Sequence, residues 1–135
     1  MDEEFLEVNR LRMLGRYKRS KHHLFGNKYD FANWYVGKLE AQEAKCAYCE
    51  TDIRDIKRLI DNELLQARRV RGGGLRGPNL EIDRDNPFGI YGAENCYLVC
   101  YYCNNDKSYT LDSETYKRFF GQARHDFFQH LLNQL

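Results

Sequence analysis

The chain has 135 residues, with 21 Lys and Arg against 20 Asp and Glu and a net charge near +1, which allows one domain with a modest core. No apolar run is long enough to cross a bilayer. The opening MDEEFLEV is acidic where a secretory leader is basic and then apolar, so a cytoplasmic protein is expected. The charge is unevenly spread. Val8 to Tyr29 holds Arg10, Arg12, Arg16, Lys18, Arg19, Lys21 and Lys28 with no acid, and Leu64 to Leu80 holds Arg68, Arg69, Arg71 and Arg76, again with none. Such blocks attract a polyanion locally, and a solvated helix face with a solvated loop accounts for them equally well.

In chain order, Phe5, Leu6, Val8, Leu11 and Leu14 predict an amphipathic helix over 3–19. Phe31, Trp34 and Tyr35 mark a second, short helix over 30–39. Thr51 is a good N-cap, and the stripe of Ile53, Ile56, Ile60 and Leu64 carries a third helix to about residue 67. The Gly and Pro of RRVRGGGLRGPN predict an irregular basic loop. Residues 80–83 and 96–99 read as short strands joined by the turn-rich DNPFGIYGAEN. From Ser113 onward, Tyr116, Phe119, Phe120, Ala123, Phe127, Phe128, Leu131 and Leu132 fall at helical spacing, a stripe suited to core or dimer contact.

The cysteines carry the most specific signal. Cys46-Ala-Tyr-Cys49 and Cys100-Tyr-Tyr-Cys103 read as a four-thiolate zinc site in a reducing compartment. All four positions are filled by protein, which makes the ion structural. A redox pair would open a helix after a strand in a βαβ unit, and disulfides do not suit the cytoplasm. Cys96 is left over as a small buried apolar residue.

Between the two pairs, LEIDRDNPFGIYGAENCYLVCYYCNNDKS reads strand, loop with an Asn, strand, then a helix opened by C-x-x-C-N-x-x-K. This order resembles the HNH (ββα-metal) nuclease superfamily. Its usual pattern is Asp-His at the end of the first strand, Asn in the loop, and His or Asn at the helix start. Asp83-Arg84, Asn95 and Asn104 stand at those places. The Asp-Arg pair and a loop tyrosine resemble the PacI-like restriction endonuclease branch. KHHLFGNKYDFANWY is similar to that branch's segment with a His before a Trp-Tyr pair, which singles out His22. The resemblance spans roughly residues 17–110, without the extra N-terminal zinc knuckle of that branch.

The resemblance implies an α+β fold: a ββα-metal (HNH) hairpin-plus-helix core braced by a four-cysteine zinc site, with flanking N- and C-terminal helices. One domain is expected over 1–135, divided into a basic helical part (1–45), the core (46–110) and a C-terminal helix (111–135). Asp83 and Asn104 offer hard oxygens for a catalytic Mg²⁺ or Mn²⁺, and each alone also reads as an ordinary capping residue. Arg84 is expected to clamp phosphate, because a guanidinium cannot serve as the base. Tyr91 is expected to activate water with His22 hydrogen-bonded nearby. The reverse assignment, or His23, stays open. Asn95 would hold the loop, and Lys107 would reach a phosphate from the face of Asn104. Glu81 shares a strand face with Asp83 and is placed outside the core site. Arg16, Arg19, Arg68, Arg69, Arg71 and Arg76 would track the DNA backbone. The expected activity is metal-dependent hydrolysis of double-stranded DNA by a type II restriction-type homodimer, with no membrane partner. The alternatives are a phage or homing-type nicking enzyme, or a non-catalytic zinc-stabilised nucleic-acid-binding module.

Overall fold

The computed structural model describes all residues, Met1–Leu135. Helix α1 (Glu3–Arg16) begins where the Asp2 carboxylate accepts the Glu4 amide at 3.0 Å. It ends three residues earlier than the sequence pattern predicts, because Tyr17 and Lys18 are extended. A short helix α2 (Arg19–His22) and a 3₁₀ turn (His23–Phe25) lead into α3 (Lys28–Ala41). A capping box starts α3: Asn27 accepts the Tyr29 and Asp30 amides while Asp30 accepts the Asn27 amide. Helices α1 and α3 pack on each other, burying Met13, Phe31, Tyr35 and Leu39.

Helix α4 (Ile53–Asp61) stops short of the predicted residue 67. Glu63 adopts φ 60°, and the Leu64 amide bonds back to the Leu59 carbonyl at 3.0 Å. That is the 6→1 closure of a Schellman motif, made here without glycine. The following basic loop is not wholly irregular as expected. Strands β1 (Arg68–Arg69) and β2 (Leu75–Arg76) pair antiparallel around Gly72, Gly73 and Gly74, whose φ of 89–96° turns the chain at little steric cost.

Strand β3 (Glu81–Arg84) pairs antiparallel with β4 (Cys96–Val99), placing Glu81 opposite Val99 and Asp83 opposite Tyr97. Helix α5 (Tyr101–Lys107) follows, opened by Cys100, whose sulfur accepts the Cys103 amide. Together with the cysteine cluster described below, this is the α+β, hairpin-plus-helix core that the sequence implies. The C-terminal helix is interrupted. Helices α6 (Ser113–Tyr116) and α7 (Gln122–Leu132) are joined by a π-helical turn, Lys117–Gly121. Gly121 lies against the Tyr48 carbonyl, where a Cβ would collide. Tyr116, Phe128 and Leu131 enter the core, while Phe119 is 64 % exposed and Phe120 and Phe127 are also largely exposed. No helix is long and apolar enough to cross a membrane.

Candidate metal and nucleic-acid site

The four paired cysteines are brought together as their spacing predicts. Cys46 and Cys49 sit in a tight turn closed by the Cys46 amide on the Thr51 carbonyl (3.0 Å) and the Glu50 amide on the Cys46 carbonyl (2.9 Å). Cys100 and Cys103 open α5. All four sulfurs are buried and lie within 4.8 Å of one another, with Cys49 Sγ 4.0 Å from Cys100 Sγ. Ligands about 2.3 Å from a tetrahedral zinc stand about 3.8 Å apart, so the set fits a metal ion of that kind. Amide N–H groups of Tyr48 and Cys103 point at Cys46 Sγ and Cys100 Sγ, each at 3.4 Å. Hydrogen bonds from the surrounding cysteines push the Cys49 thiol down while burial pushes Cys100 up. Four buried thiolates coexist only around a cation. Cys96 is buried apart from them, and burial raises its thiol to about 11.

The hairpin and α5 form a two-rung ladder. Glu81 and Asp83 project from one face of β3, and Asn104 and Lys107 lie one helical turn apart on α5. Asn104 Nδ2 donates to Glu81 Oε1 at 2.9 Å, and Lys107 Nζ stands 3.0 Å from Asp83 Oδ2. Asp83 Oδ2 also accepts the Tyr48 hydroxyl at 2.8 Å. Asp83 Oδ1 and Asn104 Oδ1 accept from no protein donor, which leaves one hard oxygen on each residue for a divalent cation.

This arrangement corrects one expectation and revises two others. Lys107 does not reach toward solvent phosphate: its side chain is 0 % exposed, and its ammonium also donates to the Arg84 carbonyl at 2.9 Å. Arg76 does not track a backbone freely, because it grips Glu81 through two hydrogen bonds of 2.9 and 2.6 Å. Glu81, set outside the core site by sequence, is the direct partner of Asn104.

Tyr91 and His22 meet beside the Asn104–Glu81 rung. They line an open cleft of about 520 Å³ together with Arg16, Lys21, Glu81 and Asn104. Their ring centroids are 5.9 Å apart, and Lys21 Nζ lies 5.7 Å from the Tyr91 ring centre. His22 is buried and stacks on Phe31 at 4.2 Å. Its Nδ1 accepts the Lys18 amide at 2.9 Å, which leaves Nε2 to carry the proton of the neutral ring. Burial, with Lys21 and Lys18 nearby, holds its pKa below the usual 6.5. His22 is therefore a hydrogen-bond donor rather than a ready base. His23 is exposed, with Nδ1 on the Arg19 carbonyl. Burial raises the phenols of Tyr91 and Tyr48 above the ordinary value of 10.0, and Asp83 adds to both shifts.

Asn95 lies at the centre of the β3–β4 connection. Its amide bonds the Asn86 and Ile90 carbonyls (3.1 and 2.9 Å) and accepts the Asn86 amide (3.1 Å). Arg84 is half-buried, and one guanidinium nitrogen reaches the Gly89 carbonyl at 3.4 Å. Arg16, Arg19, Arg68, Arg69 and Arg71 are exposed. Tyr48 is the residue that the sequence did not single out. It looked like spacer inside C-A-Y-C, and only closure of the cysteine cluster brings it to an aspartate 35 positions away.

A hairpin crossed by a helix, with paired strand and helix side chains and a four-cysteine brace, defines the ββα-metal fold of HNH nucleases. Among solved structures, the chain is similar to the rare-cutting HNH restriction endonuclease PacI: TM-score 0.64 and 20 % identity, covering 93 % of this chain and 80 % of that one. At that identity the likeness establishes the fold. No protein-family model matches the sequence, nor does any curated protein.

Proposed function

We propose that the protein is a metal-dependent DNA endonuclease of the HNH type, acting as a type II restriction-type homodimer. The observation that carries this reading is the ladder between β3 and α5. It leaves one carboxylate oxygen of Asp83 and the amide oxygen of Asn104 without protein donors, on the strand and the helix of the fold that PacI shares. Asp83 and Asn104 would hold Mg²⁺ or Mn²⁺, which polarises a phosphodiester and stabilises its leaving oxygen. Arg84 has free guanidinium N–H groups to brace a phosphate oxygen. His22, with Nδ1 occupied, would offer Nε2–H to a group in the cleft it lines, where Arg16, Lys18 and Lys21 add positive charge.

For the water proton, two phenols compete. Tyr91 faces the cleft with His22, whereas Tyr48 touches Asp83 itself. The hydrogen bond that Tyr48 donates to Asp83 opposes loss of its own proton, whereas the Arg84 charge eases that of Tyr91, which favours Tyr91. Burial first, and Asp83 after it, holds both phenols above their ordinary range. One such site cuts one strand, so a double-strand break requires two copies. The exposed Phe119, Phe120 and Phe127 offer an apolar face for the second.

The test is digestion of a long sequenced DNA with Mg²⁺ or Mn²⁺, followed by mapping of all ends. Wild type should cut at a defined sequence. Asp83→Asn and Asn104→Ala should bind DNA and fail to cut. A second reading has its own support: Lys107 already neutralises Asp83, as it would in a non-catalytic zinc module that binds nucleic acid. DNA binding without cleavage under either metal would decide for that reading.

A further inference from the structure

Phe88 is 84 % exposed, more than any other large apolar side chain of the chain. It stands at the tip of the β3–β4 connection, four residues beyond Arg84. An exposed aromatic on a floppy loop signifies little, but this loop is framed. The Phe88 amide bonds Asn86 Oδ1 at 3.0 Å, the Gly89 amide bonds the Asn86 carbonyl at 2.9 Å, and Asn95 ties both sides of the turn. Gly89 is pressed so closely on the Asn95 amide that a Cβ there would collide. Arg84 fastens the same turn through the Gly89 carbonyl. The backbone that carries the ring is thus held in a defined turn joined to Arg84, with the ring in solvent.

Cations flank it. Arg84 lies at the base of the loop, and Lys21 sits over Tyr91 on its return. Of the loop's two acids, Asp85 is bound by the Ser113 hydroxyl, and Glu94 lies in the 3₁₀ turn at the far end. A planar apolar ring bordered by positive charge matches a nucleobase attached to its own phosphates. A phosphodiester held at Asp83 and Arg84 carries a base on each adjoining sugar, and the Phe88 loop springs from Arg84 itself. Resting on the nuclease reading above, we infer that Phe88 stacks on a base next to the reacting phosphate, displacing it from its neighbour. It is a positioning residue for the substrate strand, distinct from the apolar face of Phe119, Phe120 and Phe127.

The experiment uses the full zinc-loaded chain and single-stranded and duplex oligonucleotides carrying 2-aminopurine, whose fluorescence reports stacking. Wild type should alter the fluorescence on binding. Phe88→Ala should bind about fivefold or more weakly and lose the optical change, because stacking of one base on an aromatic is worth about 1–3 kcal/mol. Phe88→Trp should restore both, and Phe88→Leu should restore neither. The substitutions lie at an exposed site, so melting temperature should not move. Equal affinity and equal fluorescence in wild type and Phe88→Ala overturn the inference while leaving the nuclease reading intact. A Phe88→Ala chain that changes oligomeric state in sedimentation, but not DNA affinity, overturns it in favour of a protein contact. A wild type that binds no DNA at all overturns both readings.

Discussion

Replacing Lys107 by Met is the sharpest probe of the ladder. The ammonium has no exposure, lies 3.0 Å from Asp83 Oδ2 and 2.9 Å from the Arg84 carbonyl, and its partner carboxylate is only 13 % exposed. At an effective dielectric constant of about 20, two unit charges at that separation attract by about 5 kcal/mol before desolvation is subtracted. Methionine fills much of the same volume, so the change isolates the charge rather than opening a cavity. Removing one member of a buried pair costs about 3–5 kcal/mol, because the other charge stays buried. At about 4 °C per kcal/mol for a domain of this size, Tm should fall by about 12–20 °C. A double-mutant cycle with Asp83→Asn separates the pair from mere packing. The double variant should be more stable than the sum of the singles requires by about 1 kcal/mol or more. Mn²⁺ should also raise the Tm of Lys107→Met more than that of wild type, since a freed carboxylate binds a cation more readily. Singles that add to within about 0.5 kcal/mol, together with an unchanged response to Mn²⁺, would refute the idea that Lys107 neutralises Asp83.

Two further outcomes concern the brace and the buried histidine. Chelation should release one zinc per chain and unfold the protein, and it should expose thiols that react slowly beforehand, Cys96 included because burial lifts it to about 11. A zinc-free chain with native circular dichroism and native Tm would contradict a four-thiolate brace. His22 has a folded pKa below its ordinary 6.5, so the unfolded chain binds its proton more readily. Its contribution to stability is therefore complete above pH 6.5 and is lost as pH falls through the window below. Urea titrations between about pH 5 and 7.5 should give a stability that rises with pH in wild type and rises less in His22→Gln. Parallel pH profiles for the two proteins would contradict this.

Where local chemistry decides structure, the sequence was legible. Strand 96–99 falls on β4, and the strand over 80–83 falls within one residue of β3. The paired cysteines converge because the spacing leaves each pair one tight turn. The expectations that failed depended on partners far along the chain or on unusual backbone. Glu63 at positive φ ends α4 where a glycine would have announced it. The π turn before Gly121 follows from its approach to the Tyr48 carbonyl, a contact across more than seventy residues. Lys107 was expected to reach a phosphate from the helix face of Asn104, and nothing local reveals that β3 brings a carboxylate over it. The same distance hid Tyr48.

The cysteine brace and the candidate site are one construction. Cys100 lies between the end of β4 and the start of α5, so an ion held there fixes the angle at which α5 meets the hairpin. That angle brings Asn104 to Glu81 and Lys107 to Asp83. The other half of the brace, Cys46 to Cys49, carries Tyr48, whose hydroxyl ends on the same carboxylate. A shift of the knuckle would therefore break the Tyr48 contact to Asp83. The ion needs no open coordination position to matter for chemistry. By fixing a strand, a helix and a phenol around one aspartate, a bound ion would determine which oxygen of Asp83 stays free.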